Sequence, residues 1–455
     1  KGQAVKITNG GKATINNVDF SNNLNSTNSG NLRGGALHVN NSEVASISGN
    51  FENNKADSES GDSLGGAISN DNYGKILEIK NTTFKNNVAE GTGWVEGGAV
   101  WNSNSSKLGD IQADFYGNSA VSTAKEANGG ALYNNYFSSI GNVVANFVGN
   151  WVEGPTAQGG AIMNNASSTI TSISGLFEDN YAKGTNNANG GAIYNVSTIG
   201  NIEADFTGNY VQATSGDAQG GAIYNTGTIT SITGDFKDDY AQTTSSSAQG
   251  GAIYNRGTIT SINGDFIGNY VTGSLASDGG AIANIAGKIQ EIHGDFIGNY
   301  INGYSYGYGY GGYGGAIENG GTIETIDGDF IYNYVKGNGC DAGGAIYNYG
   351  NIAFITGDFT GNWVEATAYD ANGGAIENGG TITSIVGDFT GNYAQGGYAY
   401  GGAIYNSGTI GNITGSFINN YANGSSQANG GAIYTYKDLN FVADNRTNTF
   451  SGNYI

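Results

Sequence analysis

Short stretches in which apolar and polar residues alternate recur about every 30 residues along the chain, and no segment shows the 3.6-residue period of a helix. One repeat, Gly250 to Tyr270, reads GGAIYNRGTITSINGDFIGNY. It predicts three short strands, Ala-Ile-Tyr-Asn, Thr-Ile-Thr-Ser-Ile and Asp-Phe-Ile-Gly-Asn-Tyr, separated by the turn residues Gly, Asn and Ser. The polar stretches between repeats, such as Gln242 to Gln249, are interpreted as loops that leave the coil.

Two motifs mark the repeat along the chain. The phenylalanine of Phe-x-x-Asn occurs in 15 copies from Phe20 to Phe450, with Asp239 in place of the asparagine in one of them, and Gly-Gly-Ala occurs in 14 copies. The alanines of the second motif are Ala36, Ala67, Ala99, Ala131, Ala161, Ala192, Ala222, Ala252, Ala281, Ala316, Ala345, Ala375, Ala403 and Ala432. Three strands per repeat without helices predict an all-β parallel β-helix, a solenoid of about 15 coils of roughly 30 residues each. No break in the pattern divides residues 1–455, so a single domain is predicted.

Comparison of the repeats predicts the direction of each side chain. The residue after the recurrent alanine is always aliphatic and is expected to face the core. The next position varies from His38 to Glu318, and its tolerance of glutamate predicts that it faces water. Asparagine usually follows and turns inward, where amides stacked from coil to coil can bond to one another or to turn backbone. The phenylalanine of the second motif also points inward.

Composition and charge exclude several kinds of partner and site. The chain has 80 glycines, one proline and one cysteine, and its formal net charge is −21. Such a charge repels phosphate backbones, so no nucleic-acid partner is predicted. The single cysteine, Cys340, excludes an internal disulfide and a cysteine-based zinc site. No run of about 18 apolar residues is present, so no membrane insertion by this segment is predicted.

The pairing of Gly-Gly-Ala-Ile with Phe-x-x-Asn, from Phe20 to Asn453, resembles the repeats of chlamydial polymorphic outer-membrane proteins and similar autotransporter passengers. The resemblance implies that the parallel β-helix is right-handed. It also implies that the chain is displayed outside a bacterial cell, on the cell surface, commonly as an adhesin.

A row of aspartates is the most regular ionic feature of the sequence. Seven successive repeats carry an aspartate immediately before the core phenylalanine, and alternation places it outside. This aspartate row consists of Asp205, Asp235, Asp265, Asp295, Asp329, Asp358 and Asp388. One interpretation is a series of weak Ca²⁺ sites, because hard oxygen ligands suit that ion. The other is that each carboxylate accepts a backbone hydrogen bond in the turn after glycine.

Tyrosines form a second row at the outward position of the first strand. This tyrosine row consists of Tyr133, Tyr194, Tyr224, Tyr254, Tyr347, Tyr405 and Tyr434. The rings are interpreted either as a surface that stacks on sugars or a partner, or as ordinary coil-on-coil stacking. A Gly/Tyr-rich insertion at residues 303–314 is interpreted as an adhesive tip or as a flexible low-complexity loop. Its candidate binding residues are Tyr304, Tyr306, Tyr308 and Tyr310.

The functional hypothesis is an extracellular structural β-solenoid that acts as a surface adhesin or as a filament subunit. Neither end of the sequence resembles a cap, so self-association, end-to-end or lateral, is expected. The other expected partner is a receptor or glycan on a host or neighbouring cell. The alternative function is a carbohydrate-binding or carbohydrate-active β-helix. No clustered acids or histidines point to catalysis, so no enzyme activity, catalytic residue or cofactor site is predicted beyond weakly bound Ca²⁺.

Overall fold

The computed structural model describes residues 2–303, 311–443 and 447–455. They group into two compact units, and each is described here by itself. Unit 1 comprises Lys1–Gly216 with Gly221–Thr233, and unit 2 comprises Asp217–Gly220 with Gly234–Ile455. The described residues form strands and turns, and none of them belongs to a helix able to cross a membrane.

Each unit is a right-handed parallel β-helix, and the two units hold about fifteen coils in all. Every coil runs along three faces, and each strand pairs in parallel with the strand of the same face in the neighbouring coil. Equivalent motif positions lie opposite one another, as Ile253 opposite Ile282 and Phe236 opposite Phe266 show. The predicted fold class is therefore confirmed.

The first face carries the strand that follows Gly-Gly-Ala. In unit 1 these strands are Val5–Thr8, Leu37–Asn40, Ile68–Asp71, Val100–Asn102, Leu132–Asn134, Ile162–Asn164, Ile193–Asn195 and Ile223–Asn225. In unit 2 they are Ile253–Asn255, Ile282–Asn284, Ile317–Asn319, Ile346–Asn348, Ile376–Asn378, Ile404–Asn406 and Ile433–Thr435.

The second face carries the Thr-Ile-Thr-Ser-Ile strand and the phenylalanine after it. In unit 1 its strands are Lys12–Ile15, Phe20–Ser21, Glu43–Glu52, Lys75–Lys85, Lys107–Tyr116, Ser139–Val148, Thr169–Glu178, Thr198–Thr207 and Thr228–Thr233. In unit 2 they are Phe236–Lys237, Thr258–Asn263, Phe266–Ile267, Lys288–His293, Phe296–Ile297, Thr322–Asp327, Phe330–Ile331, Asn351–Thr356, Phe359–Thr360, Thr381–Val386, Phe389–Thr390, Thr409–Thr414, Phe417–Ile418 and Phe450–Ser451.

The third face begins at the residue after the Gly-Asn corner, which is aromatic from Trp151 onward, and ends before Gly-Gly. In unit 1 its strands are Leu24–Thr27, Leu32–Arg33, Lys55–Ser58, Ser63–Leu64, Val88–Gly91, Val95–Glu96, Ser119–Ser122, Glu126–Asn128, Trp151–Gln158, Tyr181–Asn189 and Tyr210–Ala213. In unit 2 they are Ala218–Gln219, Tyr240–Thr243, Ala248–Gln249, Tyr270–Thr272, Ser277–Asp278, Tyr300–Asn302, Gly312–Tyr313, Tyr334–Gly337, Asp341–Ala342, Trp363–Ala366, Asp370–Asn372, Tyr393–Tyr400 and Tyr421–Asn429.

The third face differs from the sequence prediction in two respects. The phenylalanine was predicted to belong to the third strand, but it lies on the second face, and the aromatic residue beyond the Gly-Asn corner begins the third face. The stretch Gln242–Gln249 was predicted to leave the coil as a loop, yet Tyr240–Thr243 and Ala248–Gln249 are both strands of the third face. Alanines in these polar stretches, such as Ala248, are fully buried and hold the strands against the core.

The core consists of stacked phenylalanines and stacked asparagines. Successive phenylalanine rings within each unit lie 4.7–5.0 Å apart, centroid to centroid, and nearly parallel. The first-face asparagines form the predicted amide stack, in which Asn348 Nδ2 donates to Asn378 Oδ1 at 2.8 Å. The corner asparagines form a second stack, in which Asn362 Nδ2 donates to Asn392 Oδ1 at 3.0 Å. Both stacks satisfy buried polar groups that would otherwise destabilise the fold.

The Gly-Gly pair makes the sharp turn between the third and first faces. The first glycine takes a left-handed backbone conformation, as Gly343 does at φ +62°. The second glycine packs against the next coil, and a Cβ on Gly344 would lie only 2.1 Å from the carbonyl oxygen of Gly374. The turn therefore needs both glycines, each for a different reason.

Candidate binding groove

Many outward side chains of the first face are buried and the others are partly buried, contrary to the prediction that this position faces water. Trp101 and Met163 are 3% exposed, and even Glu318 is only 2% exposed. The Gly-Gly turn folds the end of the third face back toward the first face. Outward side chains from both faces therefore meet in a concave corner and cover one another. Tolerance of glutamate at this position reflects a polar corner and not a solvent-facing strand.

In unit 1 this corner opens into a groove with a cavity of about 520 Å³. Its floor is a cluster of buried side chains, Leu64, Trp101, Tyr133 and Met163, against which the half-buried Tyr194 packs. The polar and charged side chains that line the groove are Asn31, Arg33, Asp62, Glu96, Ser103, Asn104, Glu126, Asn128, Asn135, Gln158 and Asn165. An apolar, aromatic floor with amide and carboxyl groups around it is typical of a small-molecule binding site.

Glu96 is the carboxyl group at the centre of the groove. Trp101 Nε1 donates to Glu96 Oε2 at 2.7 Å, and the Tyr133 hydroxyl donates to Glu96 Oε1 at 3.0 Å. Asn135 Nδ2 donates in turn to the Tyr133 hydroxyl oxygen at 2.6 Å. Burial raises the pKa of Glu96 to about 7, although these two hydrogen bonds oppose the shift. The chain of hydrogen bonds holds the two aromatic rings of the floor in fixed orientations.

An ion pair between the partly exposed Arg33 and the buried Asp71 lies at one edge of the groove. Arg33 Nε lies 2.6 Å from Asp71 Oδ2, and Asn104 Nδ2 donates to Asp71 Oδ1 at 2.7 Å. The guanidinium carbon of Arg33 is 5.9 Å from the centre of the Trp101 ring. Burial and the charge of Lys6 lower the pKa of the neighbouring His38 to about 4, although Asp71 opposes the shift. Asp71 thus balances the charge of Arg33, and the groove is not a simple anion site.

The tyrosine row does not form one continuous exposed strip. In unit 1, Tyr133 is 1% exposed in the groove floor, whereas Tyr194 and Tyr224 stack with ring centroids 4.6 Å apart. In unit 2, Tyr254 is 3% exposed, and Tyr405 stacks on Tyr434 at 5.8 Å. Coil-on-coil stacking therefore accounts for part of the row. Tyr347 has tilted aromatic neighbours, and the insertion tyrosines Tyr304, Tyr306, Tyr308 and Tyr310 lie outside the described residues.

The aspartate row lies outside the coils and links them through backbone hydrogen bonds. Asp265 N donates to Asp235 Oδ1 at 2.9 Å, and the pattern continues with five further acceptor–donor steps of 2.7–2.8 Å up to Ser416 N. The acceptor role predicted for these carboxylates is confirmed from Asp235 to Asp388, but the donor belongs to the next coil and not to the same turn. Within residues 2–303, 311–443 and 447–455, no group of three or more His, Cys, Asp or Glu side chains is placed to hold a metal ion. Calcium binding by the row stays a prediction.

Sequence reasoning missed Glu96, Arg33 and Leu64 as groove residues. All three end a third-face strand, and each immediately precedes a Gly-Gly pair, as Glu96 precedes Gly97 and Gly98. The residue before each Gly-Gly pair could have identified the second wall of the groove, since it faces outward across the turn. It was overlooked because this stretch was interpreted as a loop outside the coil.

No protein-family model matches the chain, and the searches of curated proteins and of solved structures returned no match either.

Glu96→Gln is expected to make the free energy of unfolding less dependent on pH. Folded Glu96 holds its proton up to about pH 7, whereas an unfolded glutamate releases it near pH 4.5. The folded state therefore binds more protons in this window, and stability falls as pH rises from 4.5 to 7, by at most about 1.4 kcal/mol per pH unit. Between pH 5 and pH 7.5, the free energy of unfolding measured with urea should fall by about 2 kcal/mol more in the wild type than in the variant.

Glu153→Gln is the matched control for this prediction, because Glu153 is an exposed glutamate on the third face of the same unit. It should keep the wild-type pH dependence. An unchanged pH dependence in Glu96→Gln would show that the Glu96 carboxyl is ionised in the folded chain at neutral pH.

Proposed function

We propose that this chain is a surface-displayed β-solenoid that binds a glycan in the groove of unit 1. The observation that carries the proposal is the groove above the buried floor of Trp101 and Tyr133, where the exposed rings of Trp94 and Tyr136 lie among amides and carboxyl groups. Sugars present apolar C–H faces that stack on aromatic rings and hydroxyl groups that bond to amides and carboxyls. The stacked coils hold the aromatic rings and the polar side chains in fixed positions before the ligand binds.

Two further observations support a recognition role of the adhesin type. The cavity of about 520 Å³ lies within the usual range for ligand sites. The motif pair Gly-Gly-Ala-Ile and Phe-x-x-Asn resembles passengers that are displayed on bacterial surfaces, which is the setting proposed for this chain. Binding without turnover is proposed, so the groove should hold its glycan and leave it intact.

Trp94→Ala is expected to weaken glycan binding by at least tenfold, because it removes a 49% exposed aromatic ring that lines the groove. A glycan array would identify the ligand, and isothermal titration calorimetry would then measure its affinity for both proteins. A tenfold loss corresponds to about 1.4 kcal/mol of binding free energy. A reducing-sugar assay with the same glycan should detect no release.

Trp151→Ala is the control, because Trp151 is a half-buried tryptophan of the same unit that stacks on Tyr181 outside the groove. It should bind the glycan as the wild type does. Equal losses in the two variants, or a wild type that binds no glycan, would refute the groove as the recognition site. Release of reducing sugar would instead favour the carbohydrate-active alternative.

A further inference from the structure

We infer that unit 2 carries a second site, which takes a protonated organic amine between the carboxyl groups and tyrosine rings of its first face. The site is independent of the groove in unit 1 and of the glycan proposal. It is built on the outward positions of four successive first-face strands. These four residues, here called the Glu–Tyr row, are Glu318, Tyr347, Glu377 and Tyr405.

The strand register places acidic and aromatic side chains alternately along this row. Glu318 lies opposite Tyr347, Tyr347 opposite Glu377, and Glu377 opposite Tyr405. Neighbouring parallel strands are about 4.8 Å apart, so each step of the row spans about that distance. The Glu377 carboxyl is therefore flanked by one tyrosine on each side.

The carboxyl groups of the row are buried without a countercharge. Glu318 is 2% exposed, and its Oε2 atom is buried without a hydrogen-bond partner, as is Glu377 Oε2. In the described part of unit 2, the cations that form ion pairs are Lys288, His293 and Lys336, and none of them pairs with either glutamate. Two carboxyl oxygens are thus oriented within an aromatic surface and lack a donor.

The raised pKa values of the two glutamates and the acidic groups around them agree with a site that takes a cation. Burial raises the pKa of Glu377 to about 8 and, together with the nearby Asp278, raises that of Glu318. The other titratable groups near the row are acidic or phenolic, namely Asp278, Tyr313, Asp341, Tyr349, Asp370, Tyr400, Tyr434 and Tyr436. The one amide among the groups that act on Glu377 is that of Asn372, which opposes the rise in the pKa of Glu377. A positive charge placed here would stabilise several ionised carboxylates at once.

Aromatic rings at several angles surround the central part of the row. Tyr313 and Tyr347 lie 4.8 Å apart at an interplanar angle of 41°, and Tyr347 and Tyr349 lie 5.7 Å apart at 52°. Tyr349 is 47% exposed and extends over Gly320, two residues from Glu318. Tilted rings around a carboxyl group offer cation–π faces to an ammonium group, whose N–H bonds can satisfy the free carboxyl oxygens. A hard metal ion would find too few oxygen ligands at such a site.

Titration with n-butylammonium chloride tests the inference directly. The full chain is examined by calorimetry at pH 8.5, with NaCl replaced mole for mole so that ionic strength stays constant. Saturable binding is expected, and n-butanol, which has the same alkyl chain without the charge, should not bind. Glu377→Gln and Tyr347→Ala should each weaken the affinity at least tenfold, whereas Tyr347→Phe should retain it because the ring remains.

Asp358→Asn is the matched charge control, since it removes one negative charge from the exposed aspartate row of the same unit. It should bind n-butylammonium as the wild type does. If Asp358→Asn weakened the affinity as much as Glu377→Gln does, the amine would be bound only through the overall net charge of −21. Absence of saturable binding to the wild type would overturn the inference. Melting temperatures identify any variant that has lost its fold. If Tyr347→Ala has lost its fold, the affinity of the isosteric Glu377→Gln variant for n-butylammonium is the deciding measurement.

Discussion

Asn362→Ala is expected to lower the free energy of unfolding of unit 2 by about 4 kcal/mol or more. Asn362 Oδ1 accepts from the backbone and side-chain nitrogens of Asn333 at 2.9 and 3.0 Å. Its Nδ2 donates to the carbonyl oxygen of Phe330 at 2.8 Å and to Asn392 Oδ1 at 3.0 Å. Alanine would remove all four hydrogen bonds and leave the buried Asn333 backbone N–H without this acceptor, whereas Asn392 Oδ1 and Asn333 Nδ2 each keep one other bond. A typical hydrogen bond contributes about 1 kcal/mol, and a buried group left unsatisfied costs about 1–3 kcal/mol.

Urea unfolding followed by circular dichroism measures this effect. Asn351→Ala is the control, because Asn351 is an exposed asparagine at the start of a second-face strand in the same unit. It should change the unfolding free energy by less than about 0.5 kcal/mol. A loss below about 1 kcal/mol for Asn362→Ala would mean that the corner amides are not a principal source of stability.

Gly344→Ala is expected to destabilise unit 2 by about 3 kcal/mol or more. The new methyl group would lie 2.1 Å from the carbonyl oxygen of Gly374 and 2.7 Å from the backbone nitrogen and oxygen of Trp363. All of these atoms belong to backbone that is held in the parallel ladder, so they cannot move aside without breaking hydrogen bonds. The turn between the third and first faces would have to open.

Gly379→Ala provides the comparison for this second prediction. Gly379 lies in a turn of the same unit, and the nearest atom to a Cβ there is 3.7 Å away. Thermal unfolding should show a large decrease in melting temperature for Gly344→Ala and almost none for Gly379→Ala. Equal decreases would indicate a general cost of replacing glycine, through the unfolded chain, and not a local clash.

The fold could be predicted from the sequence because each coil repeats the same short sequence motifs. Alternation within Ala-Ile-Tyr-Asn, the invariant phenylalanine and the recurrent Gly-Gly pair all depend on local geometry, which the sequence displays directly. The stacked amides were predicted for the same reason, since an asparagine that alternation turns inward needs a partner in the next coil. Self-association, an extracellular location, calcium binding and a single domain over residues 1–455 stay predictions.

The sequence by itself thus determined the three-faced β-helix, the inward phenylalanines and asparagines, and the outward position of the aspartates. Only the tertiary structure decided which outward side chains are exposed. Alternation gives a direction relative to one strand, but it does not show that the outward side chains of two faces meet in a concave corner. That corner buries Trp101 and Tyr133, brings Glu96 onto them from another strand, and covers Glu318 in unit 2. The physical reason is that burial depends on the angle between faces, which the backbone of the Gly-Gly turn sets.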